Sequence, residues 1–149
     1  PGQRKWETMR ARRVNSDPYG FGQTSGGLAY HIEELRCELR GALFDEPLFL
    51  EGLAMGDASA VFPLIRFMLL RFSPMLSRLL VTERGYKLLG TSDLLFVEEV
   101  IRLARHELNI GDWHMLLTPE QMLAYGHAEL KVAFLVELTR HCRTKHLEM

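Results

Sequence analysis

The sequence is short of cysteine, of long apolar runs and of strand-like alternation, and each shortage removes a class of protein. Cys37 and Cys142 are its only cysteines. Two sites so far apart build no disulfide framework, so a reducing, intracellular setting is expected. The longest apolar stretch, residues 61–72, is broken by Pro63, Arg66 and Arg71 and falls short of the roughly 20 residues that a membrane helix requires. The N-terminus is polar and basic without an apolar h-region, so no signal peptide is read there. A soluble protein without membrane contact is expected. No apolar–polar alternation of period two and no internal repeat runs through the chain, which leaves an all-α reading.

What is present is ordinary globular material: 47% hydrophobic and 25% charged residues in a chain of 149, enough for one domain with an appended segment. The net charge of −1 conceals an asymmetry. Residues 1–13 carry five basic side chains against one acidic, or +4, and the remainder carries 13 basic against 18 acidic, or −5. Residues 1–27 read as an extended basic arm with Asp17-Pro18, scattered glycines and few aliphatics, unable to bury enough apolar area to order themselves alone. Arg4, Lys5, Arg10, Arg12 and Arg13 supply the charge, and Trp6, Tyr19 and Phe21 are spaced along it as anchors. The arm is therefore expected to gain its order on a partner.

Residues 28–149 read as a compact unit of six or seven helices. Leu28, Ile32, Leu35, Leu39 and Leu43 form a helical stripe, with charged residues on the other faces. Asp45-Glu46-Pro47 is expected to start a short helix that Gly56 ends. Asp57 then caps the central element, apolar on nearly every side and so expected in the middle of the core. Pro63 predicts a kink or a later start there. Ser73-Pro74 caps the next helix, which Gly85 stops, and Ser92-Asp93 opens an amphipathic helix closing at residues 109–111. Thr118-Pro119-Glu120-Gln121 carries a capping box with proline at the first position. Gly126 separates it from a last long helix over residues 127–146, with Leu130, Ala133, Phe134 and Leu138 expected on its buried side.

Chemistry is harder to find. Gly20-Phe21-Gly22 lacks the preceding strand and following Gly-Lys-Ser/Thr of a phosphate loop. His141, Cys142 and His146 cluster in sequence, but the set lacks a fourth ligand, and histidine near a helix C-terminus answers to the macrodipole. Neither cysteine nor any serine stands in a nucleophile elbow or triad context. The expectation is a non-enzymatic protein with no cofactor and no metal. Basic groups remain: Arg36 with Arg40, Arg102 with Arg105, and Arg140, Arg143 and Lys145 on the last helix. The net −5 of the chain beyond residue 13 argues against a phosphate-tracking face, and no nucleic-acid partner is expected.

Read in order, Gly56-Asp57, Pro63, Ser73-Pro74, Asp93-Leu94 with Phe96, Leu117-Thr118, Gln121, Gly126, Ala128-Glu129 and Lys131 form a recognisable series. Over residues 30–146 the sequence resembles the N-terminal domain of the centrosomal protein of 44 kDa family. The resemblance implies a calponin-homology-like helical fold and a non-enzymatic, microtubule-associated structural protein of the centriole or the related axoneme, in the cytoplasmic cytoskeleton. The partners it implies are tubulin, or a coiled-coil centrosomal or ciliary protein bound without tubulin contact. It supplies no single-residue site motif. The expected contact residues are those named on the arm together with Arg140, Arg143 and Lys145. Residues 110–116, with Trp113, look longer than the family pattern, and the arm lies outside it.

Overall fold

A computed structural model describes residues 27–111 and 117–149. The expected arm and most of the Trp113 loop lie outside these described residues. Seven helices and no strand occur among the latter. α1 spans Gly27–Gly41, and α2 spans Leu50–Met55. α3 spans Ala58–Arg66 and runs on in wider π-helical turns over Phe67–Arg71. α4 spans Pro74–Ser77 and widens in the same way over Arg78–Glu83. α5 spans Asp93–His106, α6 Pro119–Leu123 and α7 Ala128–Glu148.

The helix starts follow side-chain chemistry. Asp57 Oδ1 accepts from the Ser59 N–H at 2.9 Å, Ser73 Oγ from the Leu76 N–H at 3.2 Å, and Ser92 Oγ from the Leu95 N–H at 3.2 Å. Each satisfies a donor that the first turn leaves orphaned. Thr118 and Gln121 complete the capping box reciprocally, at 3.2 and 3.0 Å. Pro63 does not begin α3 but sits inside it on an exposed strip. Its missing N–H removes the bond that the Ser59 carbonyl would otherwise accept, at a residue that is itself exposed.

α3 lies in the core as its apolar run requires, with Val61, Ile65, Met68 and Leu69 almost wholly buried. Ser59, Pro63 and Arg71 are its exposed positions, with Arg66 half-buried. A second axis was not apparent from the stripe Leu130, Ala133, Phe134 and Leu138. α7 is buried on most sides of its first half, through Val132, Leu135, Val136 and Thr139 as well. It packs along α1 and touches α2, α3 and α4.

Two expected boundaries are corrected. The helix expected from Asp45 begins instead at Leu50, with no side-chain cap. Glu46 is engaged by Arg71 at 2.9 Å rather than by a helix N-terminus. The α1 stripe ends before Leu43, because the helix closes at Gly41 and Leu43 turns into the left-handed region at φ 61°. That turn breaks the 3.6-residue period and puts Leu43 into solvent.

One buried crossing fixes the chain between α2 and α7. Gly56 caps α2 at φ 71°, and a Cβ there would lie 2.0 Å from the Gly126 carbonyl oxygen. The Gly126 N–H donates to the Met55 carbonyl at 3.0 Å. Lys131, inaccessible to solvent, donates from Nζ to the Gly56 carbonyl at 2.8 Å and to the Ala124 carbonyl. Backbone at the ends of α2 and α6 is thereby tied to α7.

Burial pushes the Lys131 pKa down to about 8, against a partial opposing pull from Asp57. An unfolded lysine keeps its ordinary value, so from about pH 8 to about pH 10.5 the unfolded chain binds more protons and the fold gains stability as pH rises. Below that window both states are charged and the desolvation cost is borne in full. A neutral amine still has two protons for its two carbonyls. Denaturation midpoints at about pH 7 and about pH 9.5 should therefore shift in favour of wild type over Lys131→Met at the higher pH. An unchanged gap would refute the titration. Gly56→Ala should cost at least about 2 kcal/mol, through left-handed strain and collision with fixed backbone, read from chemical denaturation.

Candidate partner-binding surface

The basic side chains of the body divide into those held internally and those left over. Arg140 donates from Nε to Glu38 and from a terminal nitrogen to Glu34, both at 2.9 Å, and lies 3.4 Å from Glu137. Arg143 meets the other Glu38 oxygen at 2.9 Å. The Glu38 hydrogen bond, and then that of Glu34, hold the Arg140 guanidinium above its usual pKa despite partial burial. This network joins α1 to α7 across the most extensive helix pair of the fold. Arg102 is likewise held, doubly hydrogen-bonded to Glu99 at 2.9 Å and stacked 4.6 Å over the Tyr86 ring. Burial works against ionisation of Glu99, but the Lys87 N–H and Arg102 outweigh it and keep its pKa low. Arg66 lies 4.5 Å over the Phe96 ring.

The expected contact residues are thus sorted. Arg140 and Arg143 are brought together, but with α1 carboxylates as their partners. Lys145 makes no ion pair among the described residues. Arg4, Lys5, Trp6, Arg10, Arg12, Arg13, Tyr19 and Phe21 lie outside the described residues. His141, Cys142 and His146 diverge. His141 faces Glu137 at 3.3 Å, and His146 meets Ser73 Oγ at 2.7 Å and the edge of Phe72. Cys142 is fully buried, and burial raises its thiol pKa far above the usual range. Among the described residues no histidine, cysteine and carboxylate group could hold a metal, and no helix is long and apolar enough to cross a membrane.

The surface that sequence reasoning missed lies between the end of α1 and α2. A groove of about 310 Å³ is lined by Leu39, Phe44, Pro47, Leu48 and Leu50, with Arg36 and Arg40 among its polar members. The chain enters it through a Schellman turn. The Phe44 N–H donates to the Leu39 carbonyl and the Leu43 N–H to the Arg40 carbonyl, each at 3.0 Å. The accompanying contact between the residue after the turn and the last helical turn places Phe44 near Leu39. Glycine usually occupies the left-handed position of this motif, and here it is Leu43, 84% exposed. Four of the ten exposed large apolar residues among those described (Leu43, Phe49, Leu50 and Met55) fall in residues 43–55. They form a concentration rather than a scatter. The legible signal was Gly41 near the end of a stripe whose last leucine need not be buried.

Comparison with known proteins adds a relationship. Residues 28–149 match the family described as "Centrosomal spindle body, CEP44". The centrosomal protein of 44 kDa of Bos taurus is 30% identical over 125 residues, which is 84% of this chain and 31% of that protein. The Homo sapiens protein of the same name is 28% identical over the same shares. That of Xenopus tropicalis is 28% identical over 118 residues, 79% of this chain and 30% of that protein. The chain thus spans about a third of the length of the curated relatives it matches.

Because its side chain packs little and its backbone is strained, Leu43→Gly should leave the fold as stable or raise its stability by about 0.5–1 kcal/mol. A clear drop in the denaturation midpoint would show that Leu43 contributes to the fold instead.

Proposed function

The chain belongs to the centrosomal spindle body CEP44 family, and from that premise we propose that it is a non-enzymatic, centrosome-associated structural domain that docks on microtubules. In this reading the helical body, residues 28–149, contacts a neighbouring protein or the tubulin wall of the centriole or axoneme. The basic arm, residues 1–27, threads along the lattice. Its charge supplies the attraction, and Trp6, Tyr19 and Phe21 supply apolar anchors. The calponin-homology-like relationship implied by the resemblance belongs to the same proposal.

The observation that carries this division of labour is the internal use of the body's arginines. With Arg140, Arg143 and Arg102 held by Glu34, Glu38 and Glu99, the body, at a net −4 over residues 28–149, has fewer cations to offer a polyanion, while the arm carries +3 over residues 1–27. A net-negative body gains little steering towards acidic tubulin tails, so the lattice wall or lumen is the better fit. Lys145 is the helix-end residue most available for that contact.

The groove beside α2 favours a second reading, in which the domain is an adaptor for a coiled-coil centrosomal or ciliary protein and never touches tubulin. Deleting residues 1–26, which spares the start of α1 at Gly27, separates the two. The truncated chain should lose most of its co-sedimentation with purified microtubules while its helical circular dichroism is unchanged. Undiminished pelleting would overturn the arm's role, and an absence of pelleting by the full chain would leave the adaptor.

A further inference from the structure

We infer that the groove between the end of α1 and α2 is a docking site for an acidic amphipathic helix of a partner protein. This deepens the protein-interaction role proposed for the body and does not depend on microtubule binding. The lining supplies apolar contact through Leu39, Phe44, Pro47, Leu48 and Leu50. Exposed Leu43, Phe49 and Met55 follow one another along the same stretch of chain. A small ligand would be orientated by convergent buried polar groups. The polar side chains here are two arginines and a glutamate at a cleft open to solvent. An extended row of apolar anchors is what a helix laid in a groove uses.

The charge of the occupant follows from what the guanidinium groups lack. Arg40 reaches only the Cys37 sulfur, at 3.4 Å, and pairs with no carboxylate among the described residues. The Arg36 Nε is buried without a hydrogen-bond partner, and Arg36 is paired only loosely, with Glu33 at 3.8 Å. Glu46, the acidic member of the lining, is neutralised by Arg71 at 2.9 Å. Arg40, left over at the rim beside a loosely paired Arg36, thus calls for a carboxylate from outside, which also disfavours the chain's own basic arm as the occupant. Leu43 supplies the remaining argument. A leucine held at φ 61° and 84% exposed costs the fold stability where glycine would not, and strain of that kind points to a function beyond folding.

The test uses the 149-residue chain and random helical peptides displayed on phage, with the enriched peptide then labelled for fluorescence polarisation. Enriched sequences should place apolar residues three and four apart and carry net negative charge. Binding should weaken at least about tenfold on Arg40→Glu and on Leu43→Gly, with no fall in the unfolding temperature of the latter. Binding should also weaken as salt rises. Failure to enrich such peptides, or equal binding by both variants, would overturn the assignment. So would equal binding by an acidic tubulin-tail peptide that has no apolar anchors. Because no tubulin takes part in the main measurement, its failure would leave the lattice-binding proposal standing.

Discussion

The fold depends on a buried cation hydrogen-bonded to backbone rather than paired with a carboxylate. Lys131 lies in the first turn of α7, yet its ammonium reaches the carbonyl that ends α2 and the carbonyl that ends α6. The buried Gly56 carbonyl would otherwise be an orphan costing about 1–3 kcal/mol. Burying the charge is itself expensive, as the depressed pKa shows, so the arrangement serves position more than net stability. It works only because backbone can come close: Gly56 meets the Gly126 carbonyl at a distance that leaves no room for a Cβ on Gly56, and Gly126 itself turns at φ 99°. Glycine, glycine and lysine thus act as one device.

A second use of charge operates at the surface between α1 and α7. Glu34 and Glu38 face Arg140 and Arg143 across the pair, and because the arginines are some 40% exposed each contact is screened and individually weak. Their value is in register. Four charges matched across two long helices penalise a slip of either by a turn. The same matching withdraws those arginines from outside contacts and leaves Arg40 on α1 without a carboxylate, next to an Arg36 only loosely paired with Glu33. The geometry of the core and the location of the free positive charge are therefore linked.

Local physics made much of this legible. Asp57, Ser73, Ser92 and the Thr118–Gln121 box were readable as caps because each needs only a few neighbouring residues to act. Burial of residues 61–72 was readable from the scarcity of polar positions. What escaped were effects decided at long range. Lys131 reads as one more solvated lysine until the chain brings Gly56 to it from 75 residues away. Arg140 and Arg143 read as a free basic cluster until α1 lies alongside. Leu43 continues an apolar period that the backbone abandons two residues earlier, and a groove formed by a turn has no periodicity to detect.

The landmarks of the family resemblance gain a spatial meaning from this. Gly56, Gly126 and Lys131, scattered in sequence, meet at the buried crossing, and Asp57 and Ser73 are caps on neighbouring helices. A series made of such residues specifies how the helices are held and says little about what they hold. The groove and Leu43 lie outside that series, on a surface that the crossing positions without using. Relatedness in this chain therefore accounts for the scaffold, while binding must be argued from side chains that the scaffold leaves strained, apolar and unmatched in charge. Leu43 and Arg40 satisfy that description together: one is held against its backbone preference, and the other is left without a carboxylate on a turn that would fold at least as well without the leucine.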